Sequence, residues 1–195
     1  MNKLAFIGVG IAGGGGISVG GYAAYTMMQP SNVKEALIKN GFKLTLDLNE
    51  QERSKAWTKV LDTYKIEATS DTKIGSKEIS AITAQDIESW CKEALEMGTK
   101  NQNYESTYSK TSKWCVVYTT ISEKLTSENK KLSSDTNSLK TKYESMPETL
   151  KTSITSDNGQ AGQKTKEWCE NNVKRSFLGV QDIHYQNLAQ YCLSA

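Results

Sequence analysis

The chain has 195 residues, with 24 basic and 22 acidic side chains and a formal charge of +2, which suits one domain of ordinary size with a tail or anchor. That balance lacks the basic footprint of a nucleic-acid binder, and with arginine only at Arg53 and Arg175 there are few candidates for bidentate reading of phosphate or guanine. Two prolines exclude a Pro-rich linker, and 37% apolar residues predict a modest core that needs reinforcement, without the depletion that marks disorder.

Residues 1–28 form a separate object. From Leu4 to Met28 the chain carries no charge and is rich in glycine, and it turns polar after Pro30 and Ser31. A run of this length suits a transmembrane or signal-anchor helix; a buried helix, a loose tail or a cleaved signal peptide ending near Ala23 are the competing readings. Gly8, Ala12, Gly16, Gly20 and Ala24 recur every fourth residue and would form one small-residue ridge for helix packing. Gly8, Gly10 and Gly13 also match a dinucleotide fingerprint, but no alternation of strands and helices follows, so the match lacks its context. Lys3 on one side and Lys34, Lys39 and Lys43 on the other do not settle the orientation.

The body, 29–195, reads as one mainly α domain, an irregular helical bundle with at most one short β-strand or hairpin. Asn32–Glu35 and Asn49–Glu52 read as capping boxes, and the first opens a short helix that Asn40-Gly41 stops. "FKLTLDL", residues 42–48, alternates strictly and predicts a half-buried strand or, since no partner is visible, an extended arm laid on helices. Asn49 and Glu52 precede a helix with Trp57, Val60, Leu61 and Tyr64 on one face, and Thr83 and Asp86 open a third carrying Trp90 and Cys91. A fourth leads to Trp114 and Cys115, after which "VVYTT" leaves the helix. Thr120 and Glu123 then predict a long polar helix whose seam is Leu125, Leu132, Leu139 and Tyr143. Pro147 interrupts it, a loop follows, and two last helices carry Cys169 and Cys192.

Each cysteine follows a large aromatic: Trp90-Cys91, Trp114-Cys115, Trp168-Cys169 and Tyr191-Cys192. Trp57-Thr58 looks like a further copy without the cysteine, which points to weak internal repetition of a helical unit. Intervals of 24 and 23 residues suit paired helices, so Cys91–Cys115 and Cys169–Cys192 are the favoured bridges among three connectivities. On this reading two cysteine-linked hairpins, 83–118 and 161–195, flank the long polar helix, and each aromatic covers a staple from the core side. The alternative is four reduced cysteines acting as small buried hydrophobes.

Chemistry is scarce. There is no C-x-x-C and only one histidine, His184, with no nucleophile motif beside it, so no catalytic residue, metal site or cofactor is expected.

The Gly-rich span, "FKLTLDL" followed by "AWTKVLDTY", and the repeated W–C pairs together resemble the paralogous families of uncharacterised membrane-anchored proteins of haemotropic mycoplasmas. Tyr191 stands where those proteins usually have tryptophan. The resemblance implies a membrane-anchored surface antigen and carries over no functional residue. The expectation is therefore a non-enzymatic, single-pass protein of the cell membrane. Residues 4–28 lie in the lipid, and the body faces outward to a protein partner or host surface. An inward-facing scaffold or assembly factor with reduced cysteines is the alternative. No nucleic-acid partner is expected, and the oligomeric state is left open.

Overall fold

A computed structural model describes residues 29–154 and 160–194. The candidate anchor, its ridge at Gly8, Ala12, Gly16, Gly20 and Ala24, and the fingerprint glycines lie outside the described residues. Among the described residues there are nine α-helices and no strand. They are α1 (Val33–Lys39), α2 (Glu50–Glu67), α3 (Ala84–Leu95), α4 (Tyr104–Trp114), α5 (Ile121–Ser127), α6 (Thr136–Glu144), α7 (Glu148–Lys151), α8 (Ala161–Asn172) and α9 (Ile183–Tyr191). The mainly α reading holds. No described helix is long and apolar enough to cross a membrane.

The helix starts follow from their caps. The side chains of Asn32, Asn49, Thr83 and Thr120 each accept the backbone N–H three residues on. At Thr83 and Thr120 the carboxylates of Asp86 and Glu123 reach back to complete the capping box.

Two expectations are corrected. The alternation over 42–48 does not make a strand. Leu44 forms a single antiparallel bridge with Val116, and Thr45–Asp47 then coils into a 3₁₀ turn. The Thr45 N–H is taken by the Cys115 carbonyl at 2.9 Å, so consecutive residues, Leu44 and Thr45, are both buried and Phe42 is exposed. The long polar helix from Thr120 to Tyr143 is likewise two helices. Asn129 takes a left-handed conformation, φ 57°, which asparagine tolerates better than most residues. Leu132 then bridges Leu193, and Asp135 caps α6. The seam residues still converge, but from separate elements: Leu125 and Leu139 are buried in one core, Leu132 lies against it, and Tyr143 joins a small neighbouring cluster.

These corrections expose an internal duplication. In the first half, Asn32 bridges Gly98 and Leu44 bridges Val116; in the second, Thr120 bridges Ser176 and Leu132 bridges Leu193. The interval from Asn32 to Leu44 equals that from Thr120 to Leu132, and the interval from Cys91 to Gly98 equals that from Cys169 to Ser176. The hydrogen bonds match pairwise. Val33 N donates to Met97 O at 3.0 Å, as Ile121 N does to Arg175 O at 2.9 Å. Thr45 N donates to Cys115 O at 2.9 Å, as Ser133 N does to Cys192 O at 2.8 Å. After α1 the chain turns through Gly41, φ 83°, and after α5 through Asn129. Asn40, closing α1, donates to the Tyr108 hydroxyl at 2.6 Å, and Glu128, closing α5, accepts from the Tyr185 hydroxyl at 2.7 Å. Thus α1, α2, α3 and α4 correspond to α5, α6, α8 and α9. Trp57 belongs to no repeat of the W–C pairs: it is a buried residue of α2.

Each half has its own core. The first gathers Val33, Leu37, Tyr64, Ile87, Leu95 and Trp114 around Cys91 and Cys115. The second gathers Ile121, Leu125, Leu139, Val173, Tyr185 and Leu188 around Cys169 and Cys192. Between the halves the contact is polar. The Thr63 hydroxyl donates to Lys174 O at 2.7 Å, Ser176 N donates to the Glu67 carboxylate at 2.8 Å, and Lys59 reaches the Glu123 carboxylate at 3.1 Å.

Candidate functional site

The structure joins the cysteines as their spacing predicts: Cys91 to Cys115 and Cys169 to Cys192, with Cα–Cα distances of 5.6 and 5.7 Å. No cysteine is left free. In each half the first cysteine lies within a helix, α3 or α8, and the second ends a helix, α4 or α9, where its N–H bonds back to Thr111 or Leu188. Its carbonyl then receives the bridging segment described above. Each staple therefore closes a ring of local hydrogen bonds that ties the end of the last helix to the segment following the first.

The aromatic neighbours fall into two kinds. Trp114 and Tyr191, before the second cysteine of each pair, are buried. Trp114 meets Tyr64 edge-on at 4.9 Å, donates its Nε1 proton to Thr72 O at 2.9 Å, and lies under the Lys113 ammonium at 4.7 Å. Tyr191 packs with Met146 and Ile154, apart from the core that holds its cysteine. Trp90 and Trp168, before the first cysteine of each pair, are half-buried at the core margins.

The sulfurs are poorly placed for redox chemistry. Cys91, Cys115 and Cys192 have no exposed surface and Cys169 has 1%, whereas thiol–disulfide exchange requires a thiolate to reach a sulfur. His184 lies half-exposed beside Pro147, Leu150 and Trp168 along a cleft of about 370 Å³. Burial first, and then the Arg175 charge, lower its pKa and favour the neutral ring. A second cleft, of about 340 Å³, shares Ser153 and Trp168 and is lined also by Lys164, Glu167 and Asn171. Lys164 and Glu167 are paired with each other there at 3.1 Å. Among the described residues no group of three or more His, Cys, Asp or Glu could hold a metal ion.

Sequence reasoning did not single out the loop between α8 and α9. Leu178 and Val180 stand exposed there, and so does Ile183 at the start of α9. The available signal was an apolar run, "SFLGV", placed after a helix end at Lys174-Arg175 rather than within a helix.

No protein-family model, curated protein or solved structure matches the chain.

Proposed function

We propose that the chain is a non-enzymatic, membrane-tethered surface protein whose helical body, held outside the cell, serves as an interaction module and antigen. The observation that carries this reading is the pair of buried disulfides, one at the same place in each half. Structural disulfides persist in oxidising compartments and are rare where thiols are kept reduced. The uncharged run from Leu4 to Met28 supplies the candidate anchor, and the resemblance noted above points the same way. In the cleft that holds His184, the Ser153 hydroxyl donates to Leu150 O at 2.6 Å rather than to the imidazole.

The test is mass mapping of peptides from native protein with thiols blocked at lysis, alongside protease shaving of intact cells. Bridged Cys91–Cys115 and Cys169–Cys192 peptides and a body removed by shaving are expected. Four blocked thiols and a protected body would overturn the reading in favour of an inward-facing scaffold.

A further inference from the structure

The duplication supplies an internal control for the surface. The most exposed large apolar side chains among the described residues are Leu178 at 69%, Ile183 at 59% and Val180 at 51%. Leu178 and Val180 lie in the connection between α8 and α9, and Ile183 opens α9 directly after it. The corresponding connection in the first half, between α3 and α4, runs through Gly98, Thr99, Lys100, Asn101, Gln102 and Asn103 and is polar. The backbone holds both loops alike: Thr99 N donates to Ser31 O at 3.0 Å, and Phe177 N donates to Thr119 O at 2.8 Å. The framework can therefore be built with a polar loop, and the apolar tip of the second half needs another reason. A cluster of aliphatic side chains left in water is a contact surface in waiting.

The residues leading into the loop differ in the same sense. Lys174 and Arg175 stand where the first half has Glu96 and Met97. Lys174 lies 3.6 Å from Asp62 with both side chains nearly half exposed, and Arg175 donates through Nε to Asn172 at 2.8 Å. The nearest following acid, Asp182, is committed to capping α9 through His184 N and Tyr185 N. Phe177 roots the loop by packing edge-on to Tyr185 at 5.1 Å beneath the Lys124 ammonium. Gly179, at φ 119°, turns the tip between Leu178 and Val180.

We propose that this loop is a second membrane contact: Leu178, Val180 and Ile183 enter the boundary of an anionic lipid surface, and Lys174 and Arg175 meet its headgroups. This rests on the tethered reading. Only Gln29, Pro30 and Ser31 separate the uncharged run from the first bridge, a span of roughly 10 Å when extended. A tether that short keeps the body at high effective concentration over the bilayer. Three aliphatic side chains and two cations, too few to recruit a free protein stably, then suffice to fix how the body sits.

The test places a photo-crosslinking benzoylphenylalanine at Leu178, and separately at the equivalent Lys100, in the full chain on vesicles of equal phosphatidylcholine and phosphatidylglycerol. A lipid adduct is expected from position 178 and should be lost with Val180→Ser/Ile183→Ser, whereas position 100, whose neighbour Thr99 bonds Ser31 O at the foot of the tether, reports the tether's own approach to lipid. The double variant Lys174→Glu/Arg175→Glu should lower the yield from position 178 by roughly tenfold. An adduct to another protein chain instead of lipid, or a lipid yield from position 178 unchanged in Val180→Ser/Ile183→Ser, would overturn the proposal. Alkaline extraction of the same vesicles separates the two readings. A chain that resists extraction but gives no lipid adduct at 178 keeps its anchor and loses the loop contact. A chain that is extracted and gives no adduct loses both.

Discussion

The first half of the body and the second half share a framework and differ in what covers it. In both, the connection between the second and third helices folds over the aromatic that precedes the last cysteine. In the first half that connection brings in Ile74 and Ile82 and accepts the Trp114 Nε1 proton at Thr72 O. In the second it brings Met146 and Ile154 against Tyr191. The first cover belongs to one continuous core with a long α2 beneath it, whereas the second is a satellite beside a smaller core and a short α6. Duplicated staples thus hold two unequal bodies. The first half leans more on apolar burial and the second more on its disulfide.

Removing the covered aromatic sets the two against each other most sharply. Trp114→Ala deletes a fully buried ring with its hydrogen bond and edge contact, and should cost about 3–5 kcal/mol in urea unfolding. Tyr191→Ala, at the equivalent place in a three-residue satellite, should cost clearly less. Equal losses would mean that the second half carries as much core energy as the first.

Removing the staples should reverse the ranking in local terms. Each closes a loop of similar length and contributes roughly 3 kcal/mol by restricting the unfolded chain. Cys169→Ala/Cys192→Ala should strip hydrogen-exchange protection from α8 and α9 while α2 and α3 remain protected. Cys91→Ala/Cys115→Ala should leave the first core largely closed, because Trp57, Val60, Tyr64 and Trp114 still pack within it. Loss of protection in both halves from either pair would show one cooperative body rather than two.

The same comparison explains what could be read from the sequence. Local signals were legible because their physics is local: Thr83 and Thr120 open helices as expected, and intervals of 24 and 23 residues led to the bridged pairs. The capping boxes expected at Asn32–Glu35 and Asn49–Glu52 are instead side-chain caps alone, and the full boxes form at Thr83–Asp86 and Thr120–Glu123. The partner of Leu44 was not legible, because it is Val116, far along the chain and held by one backbone bridge rather than by a side-chain pattern. The break at Asn129 was hidden because Leu125, Leu132 and Leu139 keep helical spacing although Leu132 serves a bridge. The duplication was masked because equivalent places keep their role and change their residue: Gly41 and Asn129 both turn with positive φ, and Asn40 and Glu128 both bond a tyrosine. The W–C pairs were the visible remnant, and they led the eye to Trp57, which is not part of them.

A smaller effect is expected where the second half is packed most closely. A Cβ on Gly162 would overlap the Thr136 carbonyl, because α8 lies tightly across the start of α6. The equivalent residue of α3 is Ala84, which has room for its methyl group. Gly162→Ala should therefore destabilise by about 1–3 kcal/mol through overpacking, against the usual preference for alanine inside a helix. A neutral or stabilising result in thermal unfolding would show that the two helices can part at little cost.

The smallest difference is one of pH. Asn40 and Glu128 hold equivalent tyrosines, Tyr108 and Tyr185, but only Glu128 titrates in the acid range. The Lys130 ammonium, then the Tyr185 hydroxyl and Lys124, lower the Glu128 pKa from its ordinary 4.5 to about 2. A carboxylate depressed in the folded state stabilises fully above its ordinary pKa, and that contribution fades as pH falls through the interval from 4.5 to about 2. The Glu128 carboxylate is only partly buried, so solvent screens it and the effect is local and modest. The exchange protection of α9 should weaken over that interval relative to α4. Glu128→Gln should flatten the response, and Asn40→Asp should transfer only the part that the tyrosine hydroxyl supplies, because Phe42 and Ala36 stand where the second half has Lys130 and Lys124. An α9 response unchanged in Glu128→Gln would mean that acid acts on the second half through another group, and that these two tyrosine contacts are equivalent in geometry alone.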